Sequence, residues 1–233
     1  MSNIIHPTAI IDCKAKLGTN NYVGPYCIIG PNVTIGDNNR FEAYVSIGTQ
    51  AEHRDYFKIE AGPVNLGSHN IIREFVTING GTTSITKVED NIIMLRGSHI
   101  GHDCQIGRKS TLSCNVLVGG HSIICEGANL GLSAVVHQHR VIGAYSLVGM
   151  NSSVTRNIIP FVIAFGSPCN PQKINRVGLI RNGVVENEIT PFEKWFFSMN
   201  GLFDKIPKLE HSFDKYLEDY EAKKSYLYKI LGL

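Results

Sequence analysis

The sequence predicts an all-β fold, a hexapeptide β-helix with a small C-terminal α-helical region, on three observations. Every sixth residue is aliphatic or Phe over long stretches, beginning Ile5, Ile11, Leu17, Val23, Ile29, Ile35, Phe41 and Ile47. Four residues after each anchor the side chain is mostly small, as at Ala9, Ala15, Cys27, Ser98, Cys104, Ser110 and Ser122. The rhythm stops after Pro160, and a different one governs the C-terminus. A six-residue period matches neither an α-helical turn nor the alternation of a half-buried strand. It matches short strands that turn at regular corners and stack on identical coils above and below.

The elements follow in order. After Ile47 the anchors resume at Leu66, Ile72 and Ile78, then run through Val88, Met94, Ile100, Ile106, Leu112, Val118, Ile124, Leu130, Val136, Ile142, Val148 and Val154. Burying each contributes about 1.5–3 kcal/mol gross, which must offset the ordering entropy of the coils. The frame slips at 49–65 (TQAEHRDYFKIEAGPVN) and within 79–87 (NGGTTSITK). Both insertions should emerge as loops on a rigid prism, and both are site candidates. The β-helix is expected over 1–165, and a connecting segment with a helical region over 166–233. Thr190, Pro191 and Glu193 read as an N-cap, first helical residue and capping-box partner. Phe213, Tyr216, Leu217, Tyr220, Leu227, Ile230 and Leu231 recur at helical spacing, so 186–233 should hold about two amphipathic helices. Their aromatic stripe should pack on the β-helix or a neighbouring subunit.

Composition bounds the function. The 233 residues are 43% hydrophobic and 18% charged with a formal net charge of +2, which is not the signature of a dedicated nucleic-acid-binding or disordered chain. No cationic segment followed by an apolar run opens the sequence and no long apolar run interrupts it, so a cytoplasmic protein without membrane insertion is expected. Cysteines 13, 27, 104, 114, 125 and 169 form no Cys-x-x-Cys pair, and they read as small buried thiols.

The stretch LRGSHIGHDCQIG (95–107) raises the question of chemistry. With three hexads to a coil, residues eighteen apart lie above one another, about 4.8 Å apart. His102 and Asp103 follow Ile100, Gly120 and His121 follow Val118, and His137, Gln138 and His139 follow Val136. These groups should therefore stack on adjacent rungs of one face, with His99 at the corner leading into it. None occupies a core slot. Imidazole titrates near neutrality and suits general-base work, and a neighbouring carboxylate can fix its tautomer. A zinc site, as in β-helical carbonic anhydrases, is the weaker reading, and no metal is expected. Arg140 stands where the repeat expects a small residue.

Through HPTAII at the start, IIREFVTI (71–78), HIGHDC (99–104), VGGH (118–121), VHQ (136–138) and NRVGLIRNG (175–183), the chain resembles the UDP-N-acetylglucosamine acyltransferases of lipid A biosynthesis. The resemblance covers most of the chain up to about residue 185. It implies a left-handed parallel β-helix, a homotrimer with sites between subunits, and acyl transfer from acyl carrier protein to a sugar hydroxyl. By the same resemblance His102 is the general base, Asp103 orients it, and the Gly120 N–H steadies the oxyanion. His99, His121, His137 and Gln138 would touch the nucleotide sugar, and Asn175 and Arg181 its uridine and phosphate end. Met150 stands at the acyl-chain ruler position, which implies a short or medium chain; alternatively it fills a core gap. The chain departs from the family pattern at Asn79, His139 and Asn182, and AEHRDYF contains no recognisable acceptor loop. No permanently bound cofactor is implied, the co-substrate being an acyl carrier protein phosphopantetheine thioester or an acyl-coenzyme A. The alternatives are a coenzyme A-dependent N-acetyltransferase of a nucleotide-linked amino sugar and a non-catalytic scaffold.

Overall fold

The computed structural model describes residues 2–198 and 214–231. Short parallel strands stack into three sheets of ten, eight and seven strands, and each coil contributes one strand to each sheet in turn. The first sheet runs from Ile4–Ile5 through Leu147–Val148, the second from Ile10–Ile11 to Ser153–Val154, and the third from Lys16–Leu17 to Val141–Ile142. The pairing follows the expected eighteen-residue register: Ile100 stands on Val118, and Val118 on Val136. This is the β-helix that the hexad rhythm predicts.

The anchors from Val23 to Val154 are buried and form one continuous core along the axis. The first coil is the exception, because none of the described residues stacks beneath it: Ile5 is 46% exposed. Three inward slots carry not small residues but a ladder of buried asparagines, Asn21, Asn39 and Asn70. Each carboxamide oxygen accepts the N–H one coil further on, from Asn39 at 2.8 Å, Asn70 at 2.9 Å and Ile92 at 2.7 Å. The ladder satisfies corner amides that burial would otherwise strand. Corners are tight enough that the third residue after most anchors adopts a left-handed backbone, including Asp103, His121 and His139 at φ near +60°. Cysteines 27, 104, 125 and 169 are buried, whereas Cys114 is half-buried and Cys13 exposed, contrary to the expectation for all six.

Beyond the last coil the structure is more regular than the sequence predicts. Val162–Phe165 extends the first sheet and pairs antiparallel with Asn170–Ile174, and a short helix α1 (Arg176–Arg181) follows. Helix α2 (Glu186–Ser198) starts four residues before Thr190, so Thr190 is not its N-cap and Pro191 lies inside it. Glu186 and Glu188 supply the acidic first turn instead. Helix α3 (Asp214–Leu231) lies against the third sheet and covers Ile123 and Val141, outward-facing residues that are buried as a result. Its Leu217, Tyr220 and Leu227 are buried and the Tyr216 ring meets Tyr145 edge-on at 5.1 Å, so the stripe packs on the β-helix. Ile230 is 45% exposed and does not belong to that face. Phe213 and the Leu231 side chain lie outside the described residues. No described helix is long and apolar enough to cross a membrane.

Candidate functional site: a histidine column on one edge

Both insertions and all the candidate histidines but His99 leave the β-helix at the same edge, where the second sheet turns into the third. The first insertion joins Ser46–Thr49 to Val64–Leu66, and the second joins Thr77–Asn79 to Thr86–Val88. Directly along that edge come residues 101–104, 119–122 and 137–140, each between a second-sheet and a third-sheet strand.

His102 and Asp103 form the centre. His102 Nδ1 lies 2.7 Å from Asp103 Oδ2, which holds the ring in the tautomer that carries hydrogen on Nδ1 and leaves Nε2 as the basic nitrogen. The Asp103 side chain is itself fully buried. The second insertion wraps it: Oδ1 accepts the N–H groups of Thr82 (2.9 Å), Thr83 (3.1 Å) and Ser84 (2.7 Å) and the Ser84 hydroxyl (3.1 Å), while Oδ2 accepts the Thr82 hydroxyl at 2.5 Å. Burial pushes this carboxyl up, but the hydrogen bonds from His102, Thr82 and Ser84 outweigh it and hold the group well below the ordinary carboxylate range. Asp103 is therefore a fixed negative charge beneath the imidazole.

His121 stands one coil further on, its Nε2 3.5 Å from the same Asp103 oxygen and its ring edge-on to His102 at 4.9 Å. His139 stacks flat on His121 at 4.6 Å. Burial is the main reason both titrate below an ordinary imidazole; Asp103 opposes the shift at His121, while the charges of His121 and Arg140 add to it at His139. His102, Asp103 and His121 have ligand atoms close enough to hold a metal ion. The carboxylate, however, is already saturated by donors, and a metal would have to strip them away at a cost of about 1.5–3 kcal/mol for each bond to a charged group.

Alongside the column runs a groove of about 330 Å³. His102, Gly120, His99 and Gln138 line it, and Leu117 and Val135 give it an apolar floor. His99 faces outward from the second sheet, its Nδ1 2.8 Å from the Thr77 hydroxyl, and burial lowers its affinity for a proton. Gly120 has no acceptor for its N–H among the described residues, and it packs so closely that a Cβ there would lie 2.7 Å from His102 Nε2. Gly101 is similarly constrained, since a Cβ would come 2.8 Å from the Gly120 nitrogen.

The remaining expected residues lie elsewhere in the single chain. His137 shares the face but is exposed, its Nδ1 3.1 Å from the Gln138 carbonyl oxygen. Met150 follows a first-sheet strand and therefore sits on a different edge, 66% exposed, so it fills no core gap. Asn175 caps α1: its Oδ1 accepts the Gly178 N–H at 3.1 Å and its Nδ2 donates to the Tyr145 carbonyl at 2.8 Å. Arg181 lies exposed in the last turn of α1. Neither lines the groove. The sequence reading did not single out His53, whose ring stands edge-on to His102 at 6.1 Å, or Glu52, which lines the groove. Their only signal was membership of an insertion, because a loop has no period from which to infer position.

Residues 14–49 match the family described as bacterial transferase hexapeptide (six repeats). The chain is 34% identical over 152 residues to an acyl-(acyl-carrier-protein)–UDP-N-acetylglucosamine O-acyltransferase of Alkalilimnicola ehrlichii, and 39% identical over 148 residues to that of Paraburkholderia phymatum. These alignments take in 64% and 62% of this chain, and the chain spans only 58% and 56% of the length of those curated relatives. Among solved structures, the LpxA of Acinetobacter baumannii superposes with a TM-score of 0.77 at 28% identity, covering 94% of this chain and 90% of that one. The UDP-N-acetylglucosamine O-acyltransferase (LpxA) of Moraxella catarrhalis superposes at 0.75 with 30% identity, covering 96% of this chain and 94% of that one. The chain belongs to the UDP-N-acetylglucosamine O-acyltransferase family. Within that family fold, the edge where the second sheet meets the third is where this chain concentrates its imidazoles, its buried carboxylate and both of its insertions.

Proposed function

We propose that the protein transfers an acyl group from an acyl carrier protein thioester to a hydroxyl of UDP-N-acetylglucosamine or a closely similar nucleotide sugar. The observation that carries the reading is the Asp103–His102 pair: a buried, donor-saturated carboxylate fixes Nδ1, which leaves Nε2 as the basic nitrogen in a groove that Gly120 also lines. In this reading Nε2 removes the proton from the acceptor hydroxyl as its oxygen attacks the thioester carbonyl. The negative oxygen of the tetrahedral intermediate takes the Gly120 N–H, the carbon–sulfur bond breaks, and the proton passes from His102 to the departing thiolate. Asp103 stays ionised throughout and stabilises the imidazolium. His99, His121, His137 and Gln138 bind the sugar.

A homotrimer fits this assignment. Met150 sits on a different edge from the histidine column, and neither Asn175 nor Arg181 lines the groove, so the single chain does not gather them around it. A threefold assembly sets different edges of neighbouring copies against each other, where Met150 limits the acyl chain and Asn175 and Arg181 meet the nucleotide. The relatives and structural neighbours named above are O-acyltransferases, which favours oxygen over nitrogen as the acceptor and acyl carrier protein over coenzyme A as the donor.

The test is product mass. Purified protein is offered acyl carrier protein thioesters of graded chain length, or acetyl-coenzyme A, with UDP-N-acetylglucosamine or an amino-sugar nucleotide. The expected product is an O-acylated UDP-N-acetylglucosamine with a short or medium chain, lengthened in Met150→Gly. His102→Ala should abolish transfer while the oligomer persists in sedimentation. Retained turnover in that variant would remove the general-base assignment, and an N-acetylated product would replace the whole reading.

A further inference from the structure

A second cavity, of about 310 Å³, opens between the end of the β-helix and helix α3. Its lining brings together Arg140, Arg156 and Lys224 with Tyr220, Tyr228 and Asn170, and among the described residues it contains no carboxylate. The size falls at the lower end for small-ligand sites. Lys224 keeps an ion pair with Glu221 at 3.7 Å, but among the described residues no carboxylate comes within ion-pair distance of Arg140 or Arg156.

Arg140 is the residue that breaks the hexad pattern. In the two preceding coils its slot is filled by Cys104 and Ser122, both buried. One coil further on the chain takes a shorter corner, with Ile158 rather than residue 160 pairing with Ile142, and Arg140 lines the cavity together with Tyr220, Lys224 and Tyr228 of α3. Its Nε is buried without a hydrogen-bond partner. A buried guanidinium nitrogen left unpaired costs free energy that an apolar or small residue would not incur, so the arrangement calls for a partner that the described residues do not supply.

We propose that this cavity is a binding site for a small phosphorylated anion, separate from the histidine groove. Two guanidinium forks can each present paired N–H groups to phosphate oxygens, and a third cation suits an anion of more than one charge. Inorganic pyrophosphate is the simplest probe of that class. The site neighbours the column, since Arg140 follows His139 directly in the chain. An anion on Arg140 would therefore change the charge felt by the imidazole stack.

Calorimetric titration of the full-length protein with inorganic pyrophosphate at fixed ionic strength tests the site. The expected result is saturable binding that weakens by roughly tenfold or more in Arg140→Gln, about 1.4 kcal/mol per decade, and also in Arg156→Gln. Arg156 is exposed, so the second variant keeps its fold if the first does not. His102→Ala should bind pyrophosphate as the wild type does. Absence of binding by the wild type, unchanged binding in Arg156→Gln, or loss of binding in His102→Ala would each overturn the proposal.

Discussion

A methyl group on residue 120 would lie 2.7 Å from Nε2 of His102, inside the imidazole's own contact distance. Because Nδ1 of the same ring is tied to Asp103 at 2.7 Å, the ring cannot swing aside without breaking that bond. Gly120→Ala should therefore displace the imidazole rather than unfold the coil. Acyl transfer is expected to fall by on the order of 10²-fold, about 2.7 kcal/mol of barrier. Nitrogen NMR of the His102 ring should register the loss of its fixed tautomer. Unchanged turnover would mean the ring has more freedom than the packing allows.

Asp103 links the site to acid stability. Its folded-state pKa is depressed, so its contribution is present above the ordinary aspartate value of about 3.9 and is lost as pH falls toward the lower folded value. Asp103→Asn exchanges an acceptor for an amide facing donors, and it should cost about 3 kcal/mol at neutral pH. Urea unfolding of both proteins between neutrality and strong acid should show the gap narrowing below about pH 4. A gap independent of pH would detach the effect from the carboxylate's charge.

The stacked pair His121 and His139 loses stability in the same direction but in a higher pH window. Both imidazoles are held below their ordinary value, burial being the first cause. An unfolded chain takes up these protons near pH 6.5 while the folded one resists, so stability declines as pH drops through that value. His139→Phe retains an aromatic ring in the 4.6 Å stack and removes one titrating site. Its urea midpoint should decline less steeply than the wild type's between about pH 7 and 5. Identical slopes would show that His139 does not contribute.

Asn175 offers a separation of fold from binding. Both ends of its carboxamide are engaged within the chain, at the cap of α1 and at the Tyr145 carbonyl. Asn175→Ala should destabilise the protein by about 1–3 kcal/mol, from the lost cap and the stranded carbonyl. Thermal melts measure this directly, and KM for the nucleotide sugar tells whether the residue also touches ligand. A KM rise with no loss of stability would reverse the structural assignment.

What the amino-acid order alone determined is the coil and its consequences. Anchors at Ile100, Val118 and Val136 repeat a local burial rule, so the register, and with it the meeting of His102, Asp103, Gly120 and His121, follows from counting. The tertiary structure decided what counting cannot reach. His53, Thr82 and Ser84 come from insertions with no period, and only the folded loops show that the second insertion clamps Asp103 while the first brings an imidazole beside His102. Arg140 likewise acquires its surroundings only when α3 folds back over the third sheet, because that contact joins residues far apart in the chain. Periodic burial is a nearest-neighbour property and can be read along the chain, whereas the partners of a buried charge depend on which distant segments close over it.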